Sequence, residues 1–351
     1  MAITIDGKVC EFRPGQTVYE VAKENGIHIP VLCHHEQIQP VGACRVCLVE
    51  VEGARSLVAS CAMPAENNMV VHTGTDRVMA ARKLSVELLL TQGHHNCITC
   101  ESSGDCVLQD LVYSLGIEEP RFSAPDKYLE LEQGNEMIIR DMNKCVLCGL
   151  CVRACNEVQV NQVLDYGGRG PTATVGPAFG NTYENSECVF CGECVRVCPV
   201  GALIEKQGRF KGRTGDLQKV RTTCGYCGVG CQMDINVRDG KIVKVTTPRE
   251  GAPAPNHGSL CIKGRFGYDF IGHPERLKSP MIRKDGELKE ASWEEAITYV
   301  ADRLAAIRKK HGPDAIAGLA SARCTNEENY LFQKFLRAVI GTNNVDHCAR
   351  L

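Results

Sequence analysis

The chain has 351 residues, 22 of them cysteine, and a formal net charge of −2. Such a near-balanced charge lacks the basic excess of a phosphate-backbone binder, which argues for no nucleic acid, and no apolar run reaches the roughly 18 residues of a membrane span, so no direct membrane insertion is expected. Disulfide scaffolds are short secreted domains, and residues 1–10 show no secretory leader, so the expectation is a reduced, cytoplasmic chain whose thiolates bind metal. Because metal–thiolate bonds replace much of a hydrophobic core, small modules are expected, α+β in class, followed by part of a larger domain.

The first module is placed at residues 1–78. Apolar and polar residues alternate through Ile3–Phe12 about Asp6-Gly7, a pair suited to the positive φ of a two-residue hairpin. Thr17 and Glu20 have capping-box spacing, and Gly26 can close the helix that follows. A second hairpin is expected about Glu52-Gly53, between Val46–Val51 and Leu57–Ser60, giving a small β-grasp. Cys33, Cys44, Cys47 and Cys61 surround this frame. Four thiolates suit a [2Fe–2S] cluster, with zinc the alternative. Cys33-x10-Cys44-Arg45-Val46-Cys47, followed by Cys61-Ala62-Met63-Pro64, resembles the N-terminal ferredoxin module of iron-only hydrogenases, complex I large subunits and NAD-linked formate dehydrogenases. Cys10 falls outside the set and is read as a buried structural thiol.

The second module is placed at residues 79–118. Val78, Ala81, Leu84 and Leu88 recur at helical spacing within Asp76–Leu90, so a helix delivers the next block, Gly93-His94-His95-Asn96-Cys97-Ile98-Thr99-Cys100, with Cys106 beyond it. Three thiolates leave room for a neutral imidazole as fourth ligand. In the same families this segment resembles the module in which one histidine and three cysteines hold a [4Fe–4S] cluster. The commoner form puts its histidine where Gly93 stands here, which leaves His95 or His94, with His95 preferred. The plainer alternative has both histidines exposed at a helix end. His34 and His35 are read as supporting or surface groups.

Residues 136–210 contain an internal repeat, Cys145-x2-Cys148-x2-Cys151-x3-Cys155 and Cys188-x2-Cys191-x2-Cys194-x3-Cys198-Pro199, the bacterial 2[4Fe–4S] ferredoxin pattern. In that pattern the fourth cysteine crosses to the other cluster. Cys145, Cys148, Cys151 and Cys198 are therefore assigned to one centre, and Cys188, Cys191, Cys194 and Cys155 to the other. Asn156 replaces the proline that usually follows the first run. Tyr166–Pro171 is read as a connecting loop rather than a phosphate cradle.

After a polar linker, Gly208–Lys219, residues 217–273 carry Cys224, Cys227 and Cys231, a strand over Met233–Val237, a turn at Asp239-Gly240, a strand to Val245, and Cys261. Cys-x2-Cys-x3-Cys-x29-Cys-x-Lys-Gly resembles the [4Fe–4S] domain of molybdopterin oxidoreductases, formate dehydrogenases in particular. The resemblance implies a cluster beside a bis(molybdopterin guanine dinucleotide) carrying molybdenum or tungsten. It also implies that Lys263 contacts the pterin as an electron relay, a surface lysine being the alternative.

Residues 274–351 read as the start of a molybdopterin oxidoreductase α/β domain. A helix capped by Ser292 and Glu295 runs to about Lys310, a strand follows at Ala315–Ala320, and a helix runs from Asn326 to Gly341. Gly341–Leu351 resembles the segment that, in formate dehydrogenases, leads to the metal-ligating cysteine or selenocysteine. The expectation is that this residue would follow Leu351, the chain ending at a UGA codon read as stop. No catalytic residue then lies within the chain, the fragment alone is inactive in formate oxidation, and Cys324 and Cys348 are ordinary thiols.

Taken together, the resemblance implies the electron-transfer part of a formate dehydrogenase alpha subunit. It would pass electrons between formate/CO2 and NAD+ or another acceptor through one [2Fe–2S] and four [4Fe–4S] clusters, with a flavin/NAD-binding diaphorase-type subunit or other redox subunit as partner. The alternatives are a non-catalytic iron–sulfur carrier and an iron-only hydrogenase or complex I-type subunit. The hydrogenase would share the modules up to about residue 210 but not the Cys224 set.

Overall fold

The computed structural model describes residues 1–123 and 128–348. Leu351, expected to precede a metal ligand, lies outside the described residues.

The hairpin at Asp6-Gly7 forms as β1 (Ala2–Ile5) and β2 (Lys8–Glu11), both turn residues having positive φ. Thr17 and Glu20 make the reciprocal capping box of α1 (Val18–Glu24). β3 (Leu48–Val51) and β4 (Val58–Ala59) form the second hairpin, and β5 (Val70–His72) pairs parallel to β1 and antiparallel to β3. The sheet order is β2-β1-β5-β3-β4. Ile3, Ile5, Val49 and Val71 from the sheet bury against Val18 and Val21 of α1, as in a β-grasp.

Helix α2 (Asp76–Leu90), capped by Thr75, and α3 (Val107–Ser114) flank the histidine–cysteine block. The ferredoxin-type repeat follows: β6 (Ile138–Arg140), α4 (Leu150–Arg153), β7 (Leu164–Gly167), β8 (Thr174–Pro177), α5 (Glu193–Val197) and β9 (Leu203–Glu205). β6 pairs with β9, closing the repeat upon itself. Tyr166–Pro171, expected as a loop, begins in β7 of a β7–β8 hairpin, because Tyr166 and Gly167 pair with Val175 and Thr174.

The polar linker is shorter than expected. Gln218–Thr223 forms β10, which adds to the expected pair β11 (Gln232–Arg238) and β12 (Lys241–Thr246) in the order β10-β11-β12. α6 (Ile262–Phe266) follows Cys261 and inserts Phe266 into the core that Tyr183 and the ferredoxin cysteines also enter. Beyond it lie the hairpin β13 (Met281–Lys284) and β14 (Glu287–Glu290), helix α7 (Trp293–His311), β15 (Gly318–Ala320), α8 (Asn326–Lys334) and β16 (Val345–His347), which pairs parallel to β15. The fold is α+β with iron–sulfur-type modules in series. Among the described residues no helix is long and apolar enough to cross a membrane.

Candidate metal centres

The first four thiols are buried where the core of the β-grasp meets that of the ferredoxin-type repeat. Cys47 and Cys61 approach to 3.3 Å between sulfurs, and the Cys44 amide donates to Cys33 Sγ at 3.4 Å. Hydrogen bonds from Cys44 and then Cys61 hold the Cys33 thiol far below its ordinary value, to about 2, while giving that bond pushes Cys44 and Cys61 up. Thiols so closely placed suit a body that takes all of them as thiolates. Cys10 is fully buried in the core of the β-grasp.

The two ferredoxin runs have the same backbone. Leu147 and Phe190 share positive φ (52° and 49°), as do Gly149 and Gly192 (72° and 71°), and the amides of Leu147 and Phe190 donate to Cys145 Sγ and Cys188 Sγ at 3.4 Å each. The left-handed turn at each glycine wraps the loop around its own first thiols and starts the short helix. Cys145, Cys148, Cys151 and Cys198 line one cavity. Burial, with the charge of Cys198 adding to it, pushes Cys145 up to about 12; Cys148 and Cys151 respond to Cys198 in the same sense. Cys188, Cys191 and Cys194 instead respond to Cys155. Each run's fourth thiol thus sits among the other run's first three. Tyr183, fully buried, brings its hydroxyl to 3.7 Å from Cys194 Sγ.

In the histidine–cysteine block, Cys97 and Cys100 flank a single turn and Cys106 caps α3; the charges of Cys100 and Cys97 both reach Cys106. A side chain at Gly93 would overlap the Asn143 carbonyl, the acceptor of the His94 amide, so a histidine does not fit there. His94 stacks on Tyr128 with centroids 4.0 Å apart. Burial, first among the causes, lowers His95 below the ordinary imidazole value. Both histidines have a buried Nε2 without a hydrogen-bond partner among the described residues, as a ligating nitrogen would. His35 lies elsewhere: its Nδ1 accepts from the Gln37 amide and its Nε2 donates to the Arg249 carbonyl at 2.6 Å, tying the first module to residue 249.

Cys224, Cys227, Cys231 and Cys261 gather beside β11, each within electrostatic reach of the others, with Cys227 and Cys261 exposed. Lys263 is exposed on α6. Arg265, two residues on, is almost wholly buried, donates to the Cys191 carbonyl at 3.0 Å, and faces Glu193 at 3.9 Å. Among the described residues no three His, Cys, Asp or Glu side chains close upon a single ion.

Family comparison matches this series of modules in order. Residues 1–76 match the 2Fe-2S iron-sulfur cluster binding domain, 82–121 the NADH-ubiquinone oxidoreductase-G iron-sulfur binding region, and 144–202 the 4Fe-4S dicluster domain. Residues 217–273 match the molybdopterin oxidoreductase Fe4S4 domain and 276–351 molybdopterin oxidoreductase itself. The chain carries a series of iron–sulfur domains followed by a region that belongs with the molybdopterin oxidoreductases.

Curated relatives of this chain include a subunit of the NADH-quinone oxidoreductase of Rhizobium meliloti, 39% identical over 99% of the chain. The alpha subunit of the NADPH-Fe(3+) oxidoreductase of Geobacter sulfurreducens is 36% identical, and a Bacillus subtilis protein provisionally named formate dehydrogenase is 35% identical, each over the whole chain. The chain spans about 40% of the length of each. A chain of the NAD+-reducing [NiFe]-hydrogenase in its H2-reduced crystal structure is 34% identical, with a TM-score of 0.57, covering 61% of this chain and 91% of that one.

Within the chain the candidate centres are joined by direct contacts. The Arg153 guanidinium donates to the Cys33 carbonyl at 2.9 Å and the Cys148 carbonyl at 3.4 Å, linking the first set to the second. A side chain at Gly201 would collide with Cys100 Sγ, and the Val107 amide donates to the Pro199 carbonyl at 2.9 Å, which seats the histidine–cysteine block on the loop after Cys198. Gly192 leaves space for Arg265 of α6, bringing the Cys224 set against the Cys188 run. Arg265 is the feature that sequence reasoning missed; its only signal was its place in the Cys-x-Lys-Gly-Arg run.

Proposed function

We propose that this chain is the electron-relay portion of a formate dehydrogenase, working between a pterin-bound molybdenum or tungsten and a flavin/NAD-binding partner subunit. The observation that carries this reading is the unbroken run of contacts from the Cys224 set through the paired set to the Cys33 and Cys97 sets. Cys33, Cys44, Cys47 and Cys61 would hold a [2Fe–2S] cluster. Cys97, Cys100 and Cys106 with His95 or His94, the two crossed ferredoxin sets, and the Cys224 set would each hold a [4Fe–4S] cluster. Bound clusters supply one-electron carriers, and the pterin site supplies the two-electron oxidation of formate.

The chain's own residues set the conditions for relay. Amides donating to Cys145, Cys155 and Cys188 stabilise thiolate charge, and burial of the paired set raises the cost of adding an electron there. Lys263 would contact the pterin, and Arg265 places a buried cation between two centres. The formate dehydrogenase name of the Bacillus relative and the molybdopterin matches support the substrate.

A second reading, a relay in an NADH- or NADPH-linked complex without formate chemistry, is favoured by the higher identity of the Rhizobium and Geobacter relatives. Anaerobically purified full-length protein separates the two. Bound molybdenum or tungsten, with reduced-state paramagnetic signals appearing on addition of formate, is the expected result. Signals that answer to NADH or NADPH but never to formate would establish the second reading, and stoichiometric zinc without such signals would sink both.

A further inference from the structure

Between the ferredoxin-type repeat and the β10-β11-β12 sheet lies a cavity of about 210 Å³ whose lining includes Cys198, Glu205, Thr214, Asn236, Lys244 and Arg265. Buried Asn236 Oδ1, Thr214 Oγ1 and Arg265 Nη2 lack a hydrogen-bond partner among the described residues, and a polar cavity of this volume accommodates water that satisfies such atoms. Glu205 ends β9 on this cavity. Its carboxyl lies 2.7 Å from the Tyr268 hydroxyl, which lies 2.7 Å from the Val243 carbonyl as well.

A phenol has one proton to give and a carbonyl has none. Both contacts are full hydrogen bonds when Tyr268 donates to Val243 and a protonated Glu205 donates to the Tyr268 oxygen. Burial pushes the Glu205 carboxyl up to about 7, against the lowering influence of Tyr268, Arg265, Lys244 and Lys211. Asp269, near Tyr268, adds a further negative charge to the group.

We propose that Glu205 is a proton-binding site coupled to electron arrival at the centre assigned to Cys145, Cys148, Cys151 and Cys198, with cavity water as its proton source. The proposal rests on the iron–sulfur reading above. Glu205 gains an O–H bond as a cavity water gives up a proton that solvent replaces, while the neighbouring centre gains one electron from an external one-electron reductant. The added negative charge is balanced by the added positive one, so neither is left alone in a low-dielectric interior. Cys198 and Glu205 line the same cavity, so both events face one body of water.

Dithionite titration of anaerobically purified full-length protein, followed by electron paramagnetic resonance one pH unit below and above about 7, tests the coupling. One cluster in the wild type is expected to change its reduction constant up to tenfold per pH unit, about 59 mV for a one-electron couple. Glu205→Gln should flatten that dependence while leaving the other signals in place, and should remove a reduction-linked carboxyl band from the infrared difference spectrum. Should the variant fail to fold, the wild-type slope and infrared band remain decisive. Signals present but independent of pH in the wild type, or an unchanged slope in Glu205→Gln, would overturn the coupling and leave the relay intact. Absence of all cluster signals would overturn the relay, and the coupling with it.

Discussion

Residues 1–273 and residues 276–348 both contain helices capped by a Ser or Thr side chain, α1 and α2 in the one and α7 and α8 in the other, yet they differ in what their side chains bury. In the first region the Cys33 set and the paired ferredoxin runs are embedded, with Cys33, Cys44, Cys47, Cys61, Cys148, Cys151, Cys194 and Cys198 in two cores beside Ile, Val and Leu, whereas Cys97, Cys227 and Cys261 are exposed. In the second, the core is Ile316, Leu336 and Ile340, with Leu304, Phe332 and Val345 packed against it. α7 has a Ser292 cap, acidic residues in its first turn and basic ones in its last, but none of its described residues is buried. Local signals specify the helix, and packing does not follow from them. The loops of the Cys33 set and of the paired ferredoxin runs show the converse: little regular structure, deep burial.

Iron removal should open that contrast most widely. If metal–thiolate bonds hold the loops of the first region, chelation should abolish their amide protection outright, since metal binding and folding are one free energy in such modules. Hydrogen-exchange mass spectrometry on protein before and after chelation should show the runs at 145–155 and 188–198 losing protection, with α7 unchanged. Equal loss in α7 would mean that the two regions fold as one unit.

A smaller but sharper effect is expected at Glu193. Its side chain, 1% exposed, accepts from Arg196 Nε at 2.6 Å and faces Arg265, so it stands between two buried cations at the junction of the ferredoxin repeat and the Cys224 module. Glu193→Ala leaves both guanidinium groups without this counter-charge. Breaking a buried pair from one side costs about 3–5 kcal/mol, and denaturation of cluster-loaded protein should show a loss of that order. A loss below about 1 kcal/mol would mean that Arg196, which also contacts Gln37 and the Pro248 and Arg249 carbonyls, is satisfied without Glu193.

Much of this was legible in the residues. Capping pairs and helical spacing placed α1 and α2, and Asp-Gly dipeptides marked the turns before β2 and β12, because these signals act over three or four residues. β10 was missed because Gln218–Thr223 is mostly polar and lies on a sheet edge, where no alternation is enforced. The β7–β8 hairpin was missed because Gly167, Gly168 and Gly170 read as loop, whereas pairing with Thr174–Pro177 decides the matter. Cysteine spacing groups the thiols, but not their neighbours. Arg265, Glu205 and Tyr268 acquire their surroundings only when α6 docks beside Gly192, a contact between residues more than 70 apart in the chain.

The smallest expected effect tests the comparison from its weak side. Phe266 and Trp293 are both large aromatic residues, 2% and 71% exposed respectively. Phe266 lies in the main core beside the ferredoxin cysteines, and Phe266→Ala should cost about 3–5 kcal/mol through lost burial and the cavity it leaves. Trp293, at the start of α7, should cost no more than about 0.5 kcal/mol as Trp293→Ala, because an exposed side chain loses little that water does not restore. If thermal or denaturant unfolding of the 1–351 chain gave Trp293→Ala a cost comparable to Phe266→Ala, α7 would be covered in solution. Its exposed stripe of Trp293, Ile297 and Val300 would then be an interface rather than a free surface.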